Sequence, residues 1–360
     1  MARLLKALRL DGMLLSGLAA VSLFGLFVLF SAAGDNTALW FSQLARIGIG
    51  FALMVVLAQV PDHFLRMFAP AAYAAGLVLL AAVAVAGDIG KGAQRWLDLG
   101  VIRFQPAEIL KLAVPMICAW YLHQRPLPPA LRDVVVVLLV IVVPVGLIAE
   151  QPDLGTALLV AAAGIIVLVL AGLPWTWVFG GAAVFGAAVP VIWHFLHDYQ
   201  RQRVLTLLDP ESDALGAGYH IIQSQIAIGS GGVFGKGWMN GSQAQLEFLP
   251  ERSTDFIFAV IGEELGLLGL VALLAGYLFI VGRGVYMSLQ CRDAYARLLA
   301  GSIALTFFVY ACVNAGMVMG LLPVVGVPLP LVSYGGTSFV TLMAGFGILM
   351  SLHSSRKLVG

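Results

Sequence analysis

The first candidates for chemistry are charged side chains at the edges of apolar stretches, and Asp255 is the clearest of them. It follows Glu251 and Arg252 and directly precedes a long apolar run. An aspartate at that boundary can cap a helix, because its carboxylate accepts hydrogen bonds from the first backbone N–H groups. A carboxylate partly withdrawn from water can also act as a general base. The two roles are compatible, and the sequence leaves both open.

Two charges of opposite sign lie inside another apolar run. Glu108 and Lys111 are three residues apart, so they share one face of a helix. Charges within a membrane usually face the interior of a helix bundle in pairs. The pair is therefore either a structural ion pair or part of a polar cavity that meets a charged substrate. Glu263 and Glu264 lie deeper in their run than Asp255 and are predicted to bond neighbouring helices.

Other polar residues beside or inside apolar runs have alternative roles. Arg95, next to Trp96, is either an anchor at lipid headgroups or a clamp for a phosphate. Asp153 directly precedes an apolar run and is predicted to cap that helix. Asn314 lies inside a run and is predicted to hydrogen-bond an adjacent helix.

Two glycine-containing segments could bind anions. Segment 229–237 does not match a nucleotide-binding phosphate loop, because its glycine spacing differs and the final serine or threonine is missing. Lys236 within it could still reach a phosphate. In segment 323–338, three prolines prevent a regular helix, and Gly335 and Gly336 open the next apolar run. Free N–H groups at such a helix start suit an anion, whereas a structural re-entrant turn is the alternative.

The overall composition indicates that these residues belong to a membrane protein. Of 360 residues, 61% are hydrophobic and 11% are charged, whereas soluble domains carry about 25% charged residues. The net charge of +1 provides no basic field for nucleic acid. The three cysteines have no metal-binding spacing and are expected to be reduced structural residues.

Apolar stretches predict the fold class, since a helix that crosses a bilayer needs roughly 20 apolar residues. We predict an all-α polytopic membrane protein of about ten transmembrane helices, forming one domain over residues 1–360. The first stretch follows three basic residues and is expected to be a retained span rather than a cleaved signal. The predicted spans are 13–32, 42–60, 69–86, 106–122, 133–149, 155–171, 175–195, 256–281, 297–318 and 334–352.

Basic residues predict the orientation of these spans. The ends and loops on the side of the termini hold Arg3, Lys6, Arg9, Arg66, Arg125, Arg132, Arg283, Arg292, Arg297, Arg356 and Lys357, whereas the short loops opposite hold Lys91, Arg95 and Arg103. Both termini are therefore expected in the cytoplasm, and the large loop 196–255 outside it. Apolar residues at helical spacing (Tyr219, Ile222 and Ile226) predict a short helix within this loop.

The chain resembles the SEDS family (shape, elongation, division and sporulation) over essentially its whole length. The matching motifs are QRWL at 94–97, QPAE at 105–108 with Lys111, QPDLGT at 151–156, DPESD at 209–213, GYH at 218–220, LPER at 249–252 with Asp255, PLP at 328–330 and SYGG at 333–336. The short terminal segments resemble the branch of the family that acts in cell elongation, rather than the longer division branch.

This resemblance implies a peptidoglycan glycosyltransferase that polymerises lipid II into glycan strands for cell-wall elongation and rod shape, by inverting transfer at the outer face of the bacterial cytoplasmic (inner) membrane. Asp255 matches the family's essential carboxylate and is the expected general base. The expected substrate-binding residues are Arg95, Glu108, Lys111, Asp153, Lys236, Glu251, Arg252, Ser333, Gly335 and Gly336.

The resemblance also implies partners. These are lipid II, the lipid-linked glycan chain, a class B penicillin-binding transpeptidase, other proteins of the elongation complex and the membrane itself, without nucleic acid. The sequence contains no closed set of metal ligands, but a divalent cation such as Mg²⁺ or Mn²⁺ could help neutralise a departing diphosphate. Two alternatives remain: a flippase that carries lipid II across the bilayer, and a non-catalytic scaffold that activates a transpeptidase.

Overall fold

The computed structural model describes residues 8–34, 36–90, 93–98, 103–195, 198–213, 216–246, 248–249 and 251–354. Five of the basic residues used to predict the orientation lie outside these ranges: Arg3, Lys6, Lys91, Arg356 and Lys357. The orientation of the termini therefore stays a prediction.

All ten predicted spans coincide with helices, which confirms the all-α polytopic class. The helices are α1 (Gly12–Ala33), α2 (Thr37–Ala58), α3 (Asp62–Ala86), α4 (Pro106–Leu122), α5 (Leu131–Glu150), α6 (Leu154–Leu170), α7 (Trp175–Phe195), α11 (Ile257–Leu289), α12 (Ala294–Val318) and α13 (Gly336–Ser354). Within the described residues, seven of them are long and apolar enough to cross a membrane by length and composition. The chain is a multi-pass membrane protein.

The segment 196–255 is folded and contains more than the one short helix predicted. Helix α8 (Asp198–Leu208) leads into a 3-10 turn at Pro210–Asp213, and α9 (Ala217–Gly231) and α10 (Ser242–Gln245) follow. Helix α9 packs so closely on α11 that a Cβ placed on Gly231 would overlap the carbonyl oxygen of Gly262. Placement of this segment outside the cell stays a prediction.

A small antiparallel sheet between α3 and α4 was not predicted from the sequence. Within the described ranges its strands are β1 (Asp88–Gly90), β2 (Ala93–Asp98) and β3 (Arg103–Phe104), in the order β1-β2-β3. The sheet matters for the site because β2 carries Arg95.

Helix α12 lies at the centre of the bundle and packs against α4, α6, α11 and α13. Small residues allow close approach between helices, as expected where lipid offers no hydrophobic drive for helix association. For example, a Cβ placed on Gly284 of α11 would lie only 2.7 Å from the Cβ of Ala304 in α12. Buried hydroxyls supplement this packing, since Ser302 Oγ donates to the carbonyl oxygen of Ala163 in α6 over 2.8 Å.

Helix α11 is broken at Gly266, although the sequence predicted a continuous span. Gly266 has φ 66° and ψ −162°, a conformation that side-chain-bearing residues rarely adopt. The backbone groups released by the break are paired by the loop after α9. Lys236 N–H donates to Glu263 O over 2.9 Å, and Leu267 N–H donates to Gly232 O over 3.0 Å. The break is therefore a satisfied structural feature that holds this loop against α11.

Candidate active site

A polar cavity of about 250 Å³ lies among β2, the N-terminal ends of α4, α6 and α13, and the segment that precedes α11. It brings together eight of the eleven residues predicted from the sequence: Arg95, Glu108, Lys111, Asp153, Glu251, Asp255, Gly335 and Gly336. They come from segments up to about 240 positions apart in the sequence, so only the fold can assemble them.

Asp255 faces this cavity from the turn that leads into α11. Phe256 occupies the N-cap position of that helix, and no side-chain hydrogen bond caps it. The N-cap position, one of the two roles that the sequence left open for Asp255, is therefore taken by Phe256 in the structure. The carboxylate lies against the opposite wall, since its Oδ2 would be 3.5 Å from a Cβ placed on Gly326.

Glu108 and Lys111 form an ion pair at the cavity wall, and their contact with a charged substrate stays a prediction. Lys111 Nζ donates to Glu108 Oε1 over 2.7 Å, and both side chains are buried. Both residues also line the cavity. Lys111 Nζ lies 5.1 Å from the ring centroid of Tyr310 in α12. Glu108 Oε2 is buried and has no hydrogen-bond partner among the described residues, so the pair keeps an acceptor that a ligand could use.

Arg95 and Asp153 form one corner of the cavity. Asp153 caps α6 as predicted, because its Oδ1 accepts from Thr156 N–H over 3.1 Å. Its Oδ2 accepts from Gln105 Nε2 over 2.7 Å. Arg95 Nε donates to the carbonyl oxygen of Gln151 over 3.1 Å, and Arg95 Nη1 lies 3.9 Å from Asp153 Oδ1. Arg95 also donates to the carbonyl oxygen of Pro152, so the chain just before α6 fixes the guanidinium at the cavity wall, and its role as a phosphate clamp stays a prediction.

The start of α13 forms the opposite corner and includes a cation that sequence reasoning missed. Arg46 of α2 places its guanidinium carbon 4.4 Å from the ring centroid of Tyr334. A Cβ on Gly336 would lie 3.1 Å from Arg46 Nε, so glycine permits this approach. Arg46 Nη1 is buried and has no hydrogen-bond partner among the described residues. An arginine inside a predicted span was a signal that could have revealed it.

Three predicted site residues lie away from the cavity lining. Lys236 Nζ donates to Glu263 Oε1 over 2.7 Å and to Ser242 Oγ over 2.8 Å. Arg252 donates to the carbonyl oxygen of Ala244. Ser333 is buried behind the cavity wall and hydrogen-bonds the backbone there. Their positions give them structural bonds rather than direct access to a ligand in this cavity.

The two glutamates deep in α11 bond neighbouring segments, as predicted. Glu263 accepts from Lys236 and from the backbone N–H of Gln243 over 2.9 Å. Glu264 Oε1 accepts from Ser31 Oγ of α1 over 2.6 Å.

His220 of α9 packs beside the segment that carries Asp255. Its ring stacks on Phe256 with 5.4 Å between centroids. Burial lowers the pKa of His220, and the nearby Glu251 and Asp213 carboxylates oppose this effect only in part. The imidazole is therefore held in its neutral form more strongly than a histidine in water.

A dedicated metal site is not evident in the part of the chain that the structure describes. No three His, Cys, Asp or Glu side chains in that part lie close enough together to hold an ion. A requirement for a divalent cation stays a prediction.

Comparisons with known proteins agree with this architecture. Residues 11–358 match the model of the FtsW/RodA/SpoVE family, described as cell cycle protein. The chain is 52% identical over 351 residues to the peptidoglycan glycosyltransferase MrdB of Escherichia coli K12, covering 97% of this chain and 95% of that protein. It is 39% identical over 335 residues to MrdB of Helicobacter pylori 26695, covering 91% of this chain and 86% of that protein.

Solved structures give the same result. A chain from a structure described as "Structural coordination of polymerization and crosslinking by a peptidoglycan synthase complex" matches with a TM-score of 0.84 and 37% identity, covering 97% of this chain and 98% of that one. The rod shape determining protein RodA of Thermus thermophilus matches with a TM-score of 0.74 and 31% identity, covering 96% and 97% of the two chains. The chain belongs to the FtsW/RodA/SpoVE family, the SEDS proteins.

Proposed function

We propose that this protein is a peptidoglycan glycosyltransferase that polymerises lipid II into glycan strands for cell elongation. The observation that carries the proposal is the polar cavity in a membrane helix bundle, which Asp255 lines together with Arg95 and Lys111. The curated relatives with the activity named above cover nearly the whole chain, which supports the same reaction.

The reaction needs a base at one end of the cavity. The 4-hydroxyl oxygen of an acceptor sugar attacks the anomeric carbon of the growing chain, forming a new glycosidic bond with inversion. The bond from that carbon to the diphosphate oxygen breaks, and the diphosphate leaves with the electron pair. Asp255 takes the proton from the attacking hydroxyl. One positioned base typically contributes 10²–10⁴-fold to the rate.

The departing diphosphate needs positive charge at the other end. Arg95 and Lys111 line the cavity, and the first N–H groups of α13 begin at Gly336. Arg46 adds a further positive charge directly behind Gly336. Fixed donors and charges of this kind stabilise developing negative charge because they need little reorganisation. A divalent cation that accompanies the diphosphate would neutralise part of its negative charge.

The cellular setting follows from the same proposal. The cavity lies outside the cytoplasm, at headgroup depth of the bacterial inner membrane, and both termini are cytoplasmic. The lipid tails of donor and acceptor enter between helices from the side. A class B penicillin-binding transpeptidase cross-links the product, together with other elongation-complex proteins. A structural relative with 37% identity comes from a complex that coordinates polymerization and crosslinking, which supports such a partner.

Two parallel assays test the proposal against transport. The protein, purified with its transpeptidase partner, is incubated with labelled lipid II in detergent, and glycan strands are resolved on a gel. Proteoliposomes containing the same preparation are assayed for movement of labelled lipid II between leaflets. We expect glycan strands in the first assay. Lipid movement without strand growth, while the E. coli relative polymerises under the same conditions, would overturn the proposal in favour of a flippase.

A further inference from the structure

Three consecutive backbone carbonyls, the last of them that of Asp255, accept hydrogen bonds from residues of α12 and of the segment that precedes α13. Ser253 O accepts from Tyr334 N–H over 2.8 Å. Thr254 O accepts from Ser333 Oγ. Asp255 O accepts from Asn314 Nδ2 over 2.8 Å. Since the segment before α11 has no regular secondary structure, these bonds fix its path.

Asn314 links two segments around the cavity: the segment that carries Asp255 and the segment that precedes α13. The same Nδ2 also donates to the carbonyl oxygen of Val327 over 2.7 Å. A side-chain amide carries two N–H donors, so the Asn314 amide can bind both of these segments at once. Asn314 is fully buried in the central helix α12, which gives the two bonds a rigid origin.

The segment that Asn314 binds also lies close to the carboxylate of Asp255. Gly326 directly precedes Val327, and a Cβ on it would lie 3.5 Å from Asp255 Oδ2. Ser333 Oγ closes the same segment on itself by accepting from Leu329 N–H over 2.8 Å. The distance between Asp255 and the glycine-led start of α13 is therefore set by a connected set of hydrogen bonds, with Asn314 at its centre.

We propose that Asn314 is a positioning residue for the glycosyl transfer, holding Asp255 at a fixed distance from the segment 326–336. The inference rests on the proposed function of the same cavity. Asn314 contacts backbone and not the reacting atoms, so its loss displaces the base without removing it. Misplacement of a reacting group by about 1 Å can cost up to about 100-fold in rate.

The test compares Asn314→Leu, which keeps the number and branching of the side-chain heavy atoms but has no donor, with Ser302→Ala. Ser302 is fully buried in the same helix, and its hydroxyl donates to a backbone carbonyl away from the cavity. Both variants are purified with the transpeptidase partner, and strand synthesis is measured at several lipid II concentrations, per folded molecule. We expect Asn314→Leu to lose at least about tenfold in kcat with KM within about threefold, as for an interaction made only in the transition state. Ser302→Ala should retain wild-type kcat.

A double-variant comparison separates positioning from general structure. Ser333→Ala removes a neighbouring bond to the same segment, so its effect on kcat should combine with that of Asn314→Leu less than multiplicatively. Multiplicative effects, or a kcat for Asn314→Leu equal to that of Ser302→Ala, would overturn the inference. If Asn314→Leu does not fold, Asn314→Ser and Ser333→Ala provide the same comparison, and wild-type kcat in both would equally overturn it. Activity in wild type but not in Asp255→Ala would leave the proposed function standing in any of these cases.

Discussion

The buried pair of Glu108 and Lys111 allows its structural and functional roles to be separated. Their side-chain atoms are 2.7 Å apart and the side chains are 5% and 7% exposed. At an effective dielectric constant near 20, this separation corresponds to a gross attraction of about 6 kcal/mol. Desolvation of both charges opposes that attraction, so the net contribution of the intact pair is much smaller.

Removal of one charge of the pair should therefore lower the free energy of unfolding more than removal of both charges. Lys111→Met leaves the Glu108 carboxylate buried without its cation, and we expect a loss of about 3–5 kcal/mol in the free energy of unfolding. Glu108→Gln leaves the ammonium group of Lys111 unpaired, with a similar expected loss. The double variant carries neither charge and should recover most of the wild-type stability. The stability is measured by unfolding in detergent with a common denaturant.

Activity should not follow stability in this series. If Lys111 stabilises the departing diphosphate, the double variant folds but remains at least about tenfold slower in strand synthesis than wild type. A double variant as unstable as the single variants would refute the reasoning about the unpaired charge. A stable double variant with wild-type activity would show that the pair is purely structural.

Three further predictions concern other parts of the chain. Gly266→Ala should lower the free energy of unfolding by more than about 2 kcal/mol, because the φ of residue 266 is positive and a Cβ there would overlap the backbone nitrogen of Gly235. Thermal unfolding in detergent measures the loss, and an unchanged melting temperature would contradict the prediction. The pKa of His220 is lowered in the folded protein, so on acidification the unfolded chain takes up this proton at a higher pH than the folded chain does. The free energy of unfolding should therefore fall between pH 7 and pH 5. His220→Gln should reduce this fall, and an identical pH dependence of unfolding in both proteins would count against the prediction. Arg46→Gln, which keeps a polar side chain without the charge, should lower strand synthesis by roughly tenfold, whereas wild-type activity would exclude Arg46 from diphosphate stabilisation.

Features that depend on local sequence were predicted well. Apolar length identified every long helix, with ends that differ by up to eight residues, because the requirement to cross a bilayer constrains both length and composition. The cap at Asp153 and the pairing of Glu108 with Lys111 were also predicted, since each involves residues three positions apart. These interactions need no knowledge of distant segments.

Features that depend on distant segments were not predicted. The break at Gly266 lies in an apolar run with several other glycines, and only the loop that pairs its backbone distinguishes it. Arg46 becomes part of the site because α2 packs on α13. Lys236 has the charge expected of a phosphate ligand, but a glutamate brought close by the fold binds it instead. Asn314 was predicted to bond another helix, whereas it bonds two irregular segments around the cavity.

The central claim is that Asp255 performs the proton transfer, and one comparison tests it directly. Strand synthesis from lipid II is measured for the wild type, for Asp255→Ala and Asp255→Asn, and for Asp198→Ala, which removes a fully exposed carboxylate in α8. The account predicts a loss of at least about 100-fold for both Asp255 variants and wild-type synthesis for Asp198→Ala. Strand growth by folded Asp255→Ala protein at near the wild-type rate would contradict it.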